Sequence, residues 1–238
     1  MTKLRRTYIL YLVFRCLALI ACLLIFFLWP DELDILQNFN FFRRFSVLHL
    51  LWGIWVADMV GQIVPVRKKV PLGSQKLFRQ RFKPVRGKIN EQALRRYIVS
   101  TTKAAYVVML LLIVFLVTLS VLHNAGVICD NLLFLFSVAL YACDLVFVLV
   151  WCPLRLILRN RCCTTCRIYN WDHLMIFSPM LFIKGFFSIS LLALALVVWV
   201  RWELCVLLHP ERFWEHSNQA LRCSECTDQL CTRRRRTK

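Results

Sequence analysis

The residues best equipped for chemistry in this chain are thiols. Cys162, Cys163 and Cys166 lie within five residues, and Cys223, Cys226 and Cys231 form a second group. Each group contains a CxxC: Cys163-Thr-Thr-Cys166 and Cys223-Ser-Glu-Cys226. A CxxC turn directs two thiolates at one ion, and two such turns complete the tetrahedral Cys₄ set favoured by structural zinc. Iron–sulfur clusters use the same ligand type. The expected cofactor is therefore zinc or an iron–sulfur cluster, held by Cys162, Cys163, Cys166, Cys223, Cys226 and Cys231. Cys152 is a further thiol, and His173, His209 and His216 are possible nitrogen ligands. The pairs are separated by 56 residues that include an apolar segment, so a shared site requires both on one side of a membrane. If they lie on opposite sides, Cys205, Cys223, Cys226 and Cys231 suffice for two disulfides in an oxidising space. Cys162 and Cys163 would then be acylation targets or free thiols. Inert or redox-sensing thiols are the third reading. The spacing does not follow the ferredoxin run, although Cys152-Pro153 matches its last dipeptide.

A second set of candidates is charged. Arg15, Asp58, Lys103 and Asp144 interrupt long apolar runs, and ionisable residues at membrane depth are functional candidates. One reading is structural: two ion pairs that hold helices together, with Arg15 or Lys103 reaching towards the surface. The other is a proton or ion pathway through Asp58 and Asp144, with His49 as its extension towards the outer leaflet.

The elements that position these residues are membrane helices. Hydrophobic residues make up 59% of the 238, and several apolar runs approach the ~20 residues that span a hydrocarbon layer. The expected fold is all-α, a polytopic bundle in a cell membrane. Four spans are read at 8–29, 45–64, 97–122 and 132–151. The first follows a basic start and is too long for a signal-peptide h-region, so it is expected to be retained. Between Val66 and Arg96 there are eleven Lys or Arg and one acid, which places that loop and the N-terminus in the cytoplasm. The acidic 31–34 patch and the 123–130 loop fall outside. Asn90 is a candidate N-cap for the third helix. The net charge of +18 invites a nucleic-acid reading, but its basic residues sit between apolar runs. They set orientation and meet anionic headgroups, so lipid is the expected partner, with a membrane protein as a further one.

The 35 residues from Leu174 to Leu208 admit two readings. Either Ser178 and Pro179 start one helix crossing near 179–202, which puts the C-terminus outside. Or Lys184-Gly185 bends a short or re-entrant hairpin, which returns it inside. The Arg233–Arg236 run favours the inside. Asp172 is expected to cap the helix after it, and Trp171 and Trp214 to anchor at the interface. Two regions result: a bundle over 1–208, with a basic loop at 66–96 and a cysteine loop at 153–173, and a tail over 209–238. There is no HExxH, GxSxG or Walker-type GK[ST] and no nucleophile–base pair, so an enzyme is not the leading reading. The leading function is a membrane module with a cysteine-ligated metal at the cytoplasmic face, serving redox or electron transfer. The alternatives are a small transporter or transporter subunit using Asp58 and Asp144, and a scaffold binding lipid or a partner through the basic loop.

Overall fold

The computed structural model describes residues 3–64, 74–87, 89–160 and 162–225. Among them there is no strand, and seven α-helices form the bundle. They are α1 (Lys3–Leu28), α2 (Leu48–Ile63), α3 (Glu91–Asn124), α4 (Asp130–Leu149), α5 (Leu154–Leu158), α6 (Asp172–Phe177) and α7 (Phe186–Leu208). Four helices are long and apolar enough to cross a membrane: Leu4–Leu28, Glu91–Asn124, Asp130–Leu149 and Phe186–Leu208. The protein is an all-α multi-pass membrane bundle.

Two elements differ from the expected spans. The second expected span is α2, with 16 residues, about 24 Å at 1.5 Å per residue and short of a ~30 Å hydrocarbon layer. The third is continuous with its basic lead-in, because the Asn90 side chain caps α3 by accepting from the Ala93 amide at 3.1 Å.

The 174–208 region takes the hairpin form. No α-helix begins at Ser178. Residues Ser178–Phe182 form a 3₁₀ segment after α6, and α7 starts only at Phe186. The chain turns at Lys184-Gly185, where Asn38 donates to the Lys184 carbonyl at 2.7 Å and Phe186 donates to the Asn38 carbonyl at 3.0 Å. This contact requires glycine: a Cβ at position 185 would collide with the Leu36 carbonyl. The short arm, from α6 to the bend, packs along α4 and reaches the end of the bundle that holds the 30–42 segment. The long arm, α7, returns to the end that holds the basic loop.

The two ends are therefore distinct. At the basic end, the C-terminal segment folds onto the 74–85 loop. Arg212 donates to the Leu77 carbonyl at 3.1 Å, and Gln219 donates to the Lys83 carbonyl at 2.8 Å. The tail thus leaves on the same face as the basic loop and the cysteine loop. At the opposite end lies the aromatic core. Trp55 is fully buried, with ring centroids of Phe177 at 5.0 Å, Phe134 at 6.2 Å and Phe187 at 6.2 Å. Buried Leu33, Ile35, Leu36 and Leu48 extend the same cluster. Large exposed apolar side chains along α1 and α3, such as Leu17, Leu24, Leu110 and Val117, are the lipid-facing surface.

Candidate functional site

The site has three parts: a charge cluster, a thiol loop and the cavity between them. Arg15 from α1 is the hub of the charge cluster. Its guanidinium donates to Asp144 on α4 at 2.7 Å and to the Tyr141 carbonyl at 2.8 Å, and stacks 3.9 Å from the Tyr141 ring centroid. It also lies 3.9 Å from Asp58 on α2, and the Tyr141 hydroxyl donates to Asp58 at 3.4 Å. The sequence suggested two ion pairs. The structure instead places one cation between two carboxylates, and Lys103 is an exposed residue on α3 that belongs to neither.

Three further residues extend the cluster: Gln62, which the sequence did not mark, and Asp172 and His173, which were expected in other roles. Gln62 donates to Asp172 at 3.4 Å and meets His173 Nδ1 at 3.1 Å. Asp172 holds His173 through its amide at 2.9 Å and its ring Nδ1 at 3.1 Å. Asp172 is therefore a bonding partner inside the bundle rather than the expected cap, and Trp171 occupies the cap position. His49 does not extend this group. Its ring bonds to the Phe41 and Ser46 carbonyls at the opposite end, with the Trp55 core intervening.

The thiol loop is fixed on every side. Helix α5 closes on Arg159 in the left-handed region, at φ 49°. Asn160 then organises the turn, donating to the Cys162 carbonyl at 2.9 Å and accepting from Thr165 Oγ1 at 2.7 Å. Beyond the CxxC, Arg167 forms a two-pronged pair with Glu203 of α7 at 2.7 and 2.5 Å. Trp171 donates to the same carboxylate at 2.8 Å, so it is a buried structural residue and not an interface anchor. Trp214 stacks on Tyr97 with centroids 5.9 Å apart.

Lys76, from the basic loop, is buried against this turn. Its ammonium donates to the Cys166 carbonyl at 3.0 Å and lies 5.2 Å from the Trp202 ring and 5.4 Å from the Phe213 ring. Burial lowers its pKa to about 8, despite nearby thiols that favour the charge. Burial also raises the Cys163 thiol to about 12. Cys152 and Cys166 are raised for the same reason, with Lys76 opposing the shift at Cys166. Cys152, Cys163 and Cys166 are thus held protonated at neutral pH.

A cavity of about 150 Å³ joins the two groups. Cys152, Cys162, Cys163 and Cys166 line it together with Asp144 and Asp172. Among the described residues, no three His, Cys, Asp or Glu side chains are grouped to hold a metal ion. Cys226 and Cys231 lie outside the described residues, as does the Cys223 side chain. What the structure brings together of the expected ligand set is Cys162, Cys163 and Cys166, joined by Cys152. His209 and His216 sit on the C-terminal segment beside Glu211 and Glu215, at 3.5 and 3.9 Å. The intramembrane cysteines stand apart from this loop, with Cys22 buried and Cys16 and Cys143 exposed on their helices. No protein-family model, curated protein or solved structure matches the chain.

Proposed function

We propose that this protein is a membrane thiol-redox module working at its basic face, in which Cys163 and Cys166 cycle between dithiol and disulfide. One observation carries the reading: the thiols of Cys152, Cys162, Cys163 and Cys166 and the carboxylates of Asp144 and Asp172 share one cavity, at one end of the bundle. The opposite end is filled by Trp55, Phe134, Phe177 and Phe187. A polar route across the membrane would have to pass through that aromatic core, so the arrangement favours chemistry at one face over transport through both. Lys76 supplies the positive charge that favours a thiolate at Cys166 when the site reacts.

The basic residues at this face favour a cytoplasmic location and contact with anionic headgroups. Labelling of an added C-terminal tag from each side of the membrane tests that orientation, and a tag reached only from outside sinks it.

Metal ligation is the second reading, and one observation keeps it. Gln219 and Asn218, which lead into the tail, are bonded to Lys83 on the face that carries the thiol loop. Cys223, Cys226 and Cys231 therefore follow a segment anchored on the correct side to complete a zinc or iron–sulfur site.

The experiment that separates the readings starts from protein purified without chelator. Under the redox reading it is colourless and free of stoichiometric zinc or iron. Diamide then closes a Cys163–Cys166 disulfide that dithiothreitol reopens, as read by peptide mapping. Stoichiometric zinc, or iron with visible absorption, replaces the redox reading with the metal one.

A further inference from the structure

The cavity between α4, α5 and α6 has a size as well as a chemistry. At about 150 Å³ it equals the apolar cavity volume that accepts a single benzene ring. Leu140 and Val148 of α4, Leu158 of α5, and Met175 and Ile176 of α6 supply its apolar walls. Asn160 and Tyr169 supply polar groups at its edge, and burial keeps the Tyr169 hydroxyl protonated well beyond its ordinary range.

We propose that this cavity binds the ring of a membrane-soluble quinone, which the Cys163–Cys166 dithiol reduces to the quinol. The proposal rests on the dithiol reading above. The step balances without a further reagent. Two S–H bonds break and one S–S bond forms. The two electrons reduce the ring, and the two protons end on its two oxygens. Dithiol, disulfide, quinone and quinol are all neutral, so a low-dielectric cavity holds no net added charge before or after the step. Asp172, tethered by His173, and Asp144 are the proton-exchanging groups on the same wall.

The size and setting select the acceptor class. The electron acceptor must partition into an apolar site, fit as one ring and take two electrons with two protons. A peptide disulfide carries polar backbone that these walls would leave without partners. A quinone head meets all three conditions.

The test uses the full chain, reduced with dithiothreitol, desalted under argon and reconstituted in phosphatidylcholine liposomes. Ubiquinone with one isoprene unit is added, and quinol formation is followed by ultraviolet absorbance. The expected result is one quinol and one Cys163–Cys166 disulfide per protein. Cys163→Ser and Cys166→Ser abolish both. Val148→Phe and, as a second variant, Leu140→Phe fill the cavity and raise the half-saturating quinone concentration about tenfold or more. In both, excess diamide still closes the dithiol to completion, read by peptide mapping, which shows that the loop is folded. Quinone that leaves the dithiol reduced while diamide closes it overturns the quinone proposal and spares the dithiol reading. Quinone oxidation unaffected in both cavity variants overturns the cavity as the binding site. Failure of both reagents to form the disulfide overturns the dithiol reading itself.

Discussion

The two halves of this bundle bury their interiors differently. Towards the end that holds the 30–42 segment, the helices meet through aromatic rings around Trp55, with apolar residues of 33–48 above them. Towards the basic end an apolar cluster around Trp171, Trp202 and Phe213 is joined by charge and hydrogen bonds: Arg15 between Asp58 and Asp144, Gln62 on Asp172 and His173, and Arg167 on Glu203. The first half rests mainly on shape. In the second, each polar group removed from water or headgroups must find a partner, since an unpaired one costs several kcal/mol in hydrocarbon. The difference teaches where to look for function. Aromatic packing stabilises the fold without any other task. A chain that also maintains a polar interior at membrane depth carries a cost that packing alone does not explain.

The largest effect expected from this contrast concerns thiol reactivity. With Cys163 raised to about 12 from an ordinary 9, its thiolate fraction at neutral pH is lower by about a thousandfold. Iodoacetamide modification of Cys163 in the folded protein should be slower than in sodium dodecyl sulfate by that order, and should accelerate as pH rises towards 12. Equal rates in both states would mean that the thiol loop is open to water and that the basic half is not a buried site. Next in size is Arg15→Met, which leaves Asp144 without its cation and Asp58 with only the Tyr141 hydroxyl. A loss of about 3–5 kcal/mol is expected, seen as a lower thermal midpoint and reduced yield. The triple variant Arg15→Met, Asp58→Asn, Asp144→Asn should recover most of it, because the uncompensated charge is gone. An Arg15→Met protein as stable as the original would show that the cluster is not what joins α1 to α4.

The aromatic half is probed most directly at its bend. Gly185→Ala pushes a Cβ into the Leu36 carbonyl and should cost about 1–3 kcal/mol. Gly53→Ala, in the middle of α2, meets open space and should be neutral or stabilising, by up to about 1 kcal/mol from helix propensity. Thermal midpoints of the pair check both signs. Equal midpoints would mean that the chain crossing at Asn38 and Gly185 is not a close one.

What the residues reveal in advance follows the same division. The apolar runs and the Asn90 cap are local signals that the helices follow, apart from the short α2, and the Lys184-Gly185 bend is one of the two readings that the sequence allowed. The charge at Arg15, Asp58 and Asp144 was visible because ionisable residues are rare in such runs. Their pairing was not, since which carboxylate meets which cation depends on helix neighbours: α1 packs on α4, and α3, with Lys103, packs elsewhere. Gln62 escaped, and Asp172 and His173 were read only as a cap and a possible ligand, because polar residues near span ends are ordinary at an interface. Only the short arm of the hairpin, which carries Asp172 and His173 inward beside α4, turns them into a buried network. Lys76 escaped for a similar reason. It is one of eleven cations in a basic loop, and nothing in the sequence distinguishes the one that folds beneath the CxxC.

Lys76 also gives the smallest and most specific test of the contrast. Its folded pKa of about 8 lies below the ordinary 10.5. Between those values the unfolded chain binds a proton that the folded chain does not, so this group makes stability rise with pH across the window. Cys163 acts in the opposite sense. Its folded pKa of about 12 lies above the ordinary 9, so the folded chain keeps a proton that the unfolded chain has lost, and stability falls from pH 9 upward. Between pH 8 and 9 the Lys76 contribution stands clear of the Cys163 one. Replacing Lys76 by Met removes the rise and leaves the later fall. The slope lost is at most about 1.4 kcal/mol per pH unit, read as the change in thermal midpoint between pH 8 and 9. The same variant should slow Cys166 alkylation severalfold below pH 8, where the ammonium is still charged, and have less effect above it. An unchanged pH profile in Lys76→Met would place the ammonium in headgroups or water rather than under the CxxC. The basic half would then be a solvated surface with cysteines on it, and the contrast with the aromatic half would be one of location alone.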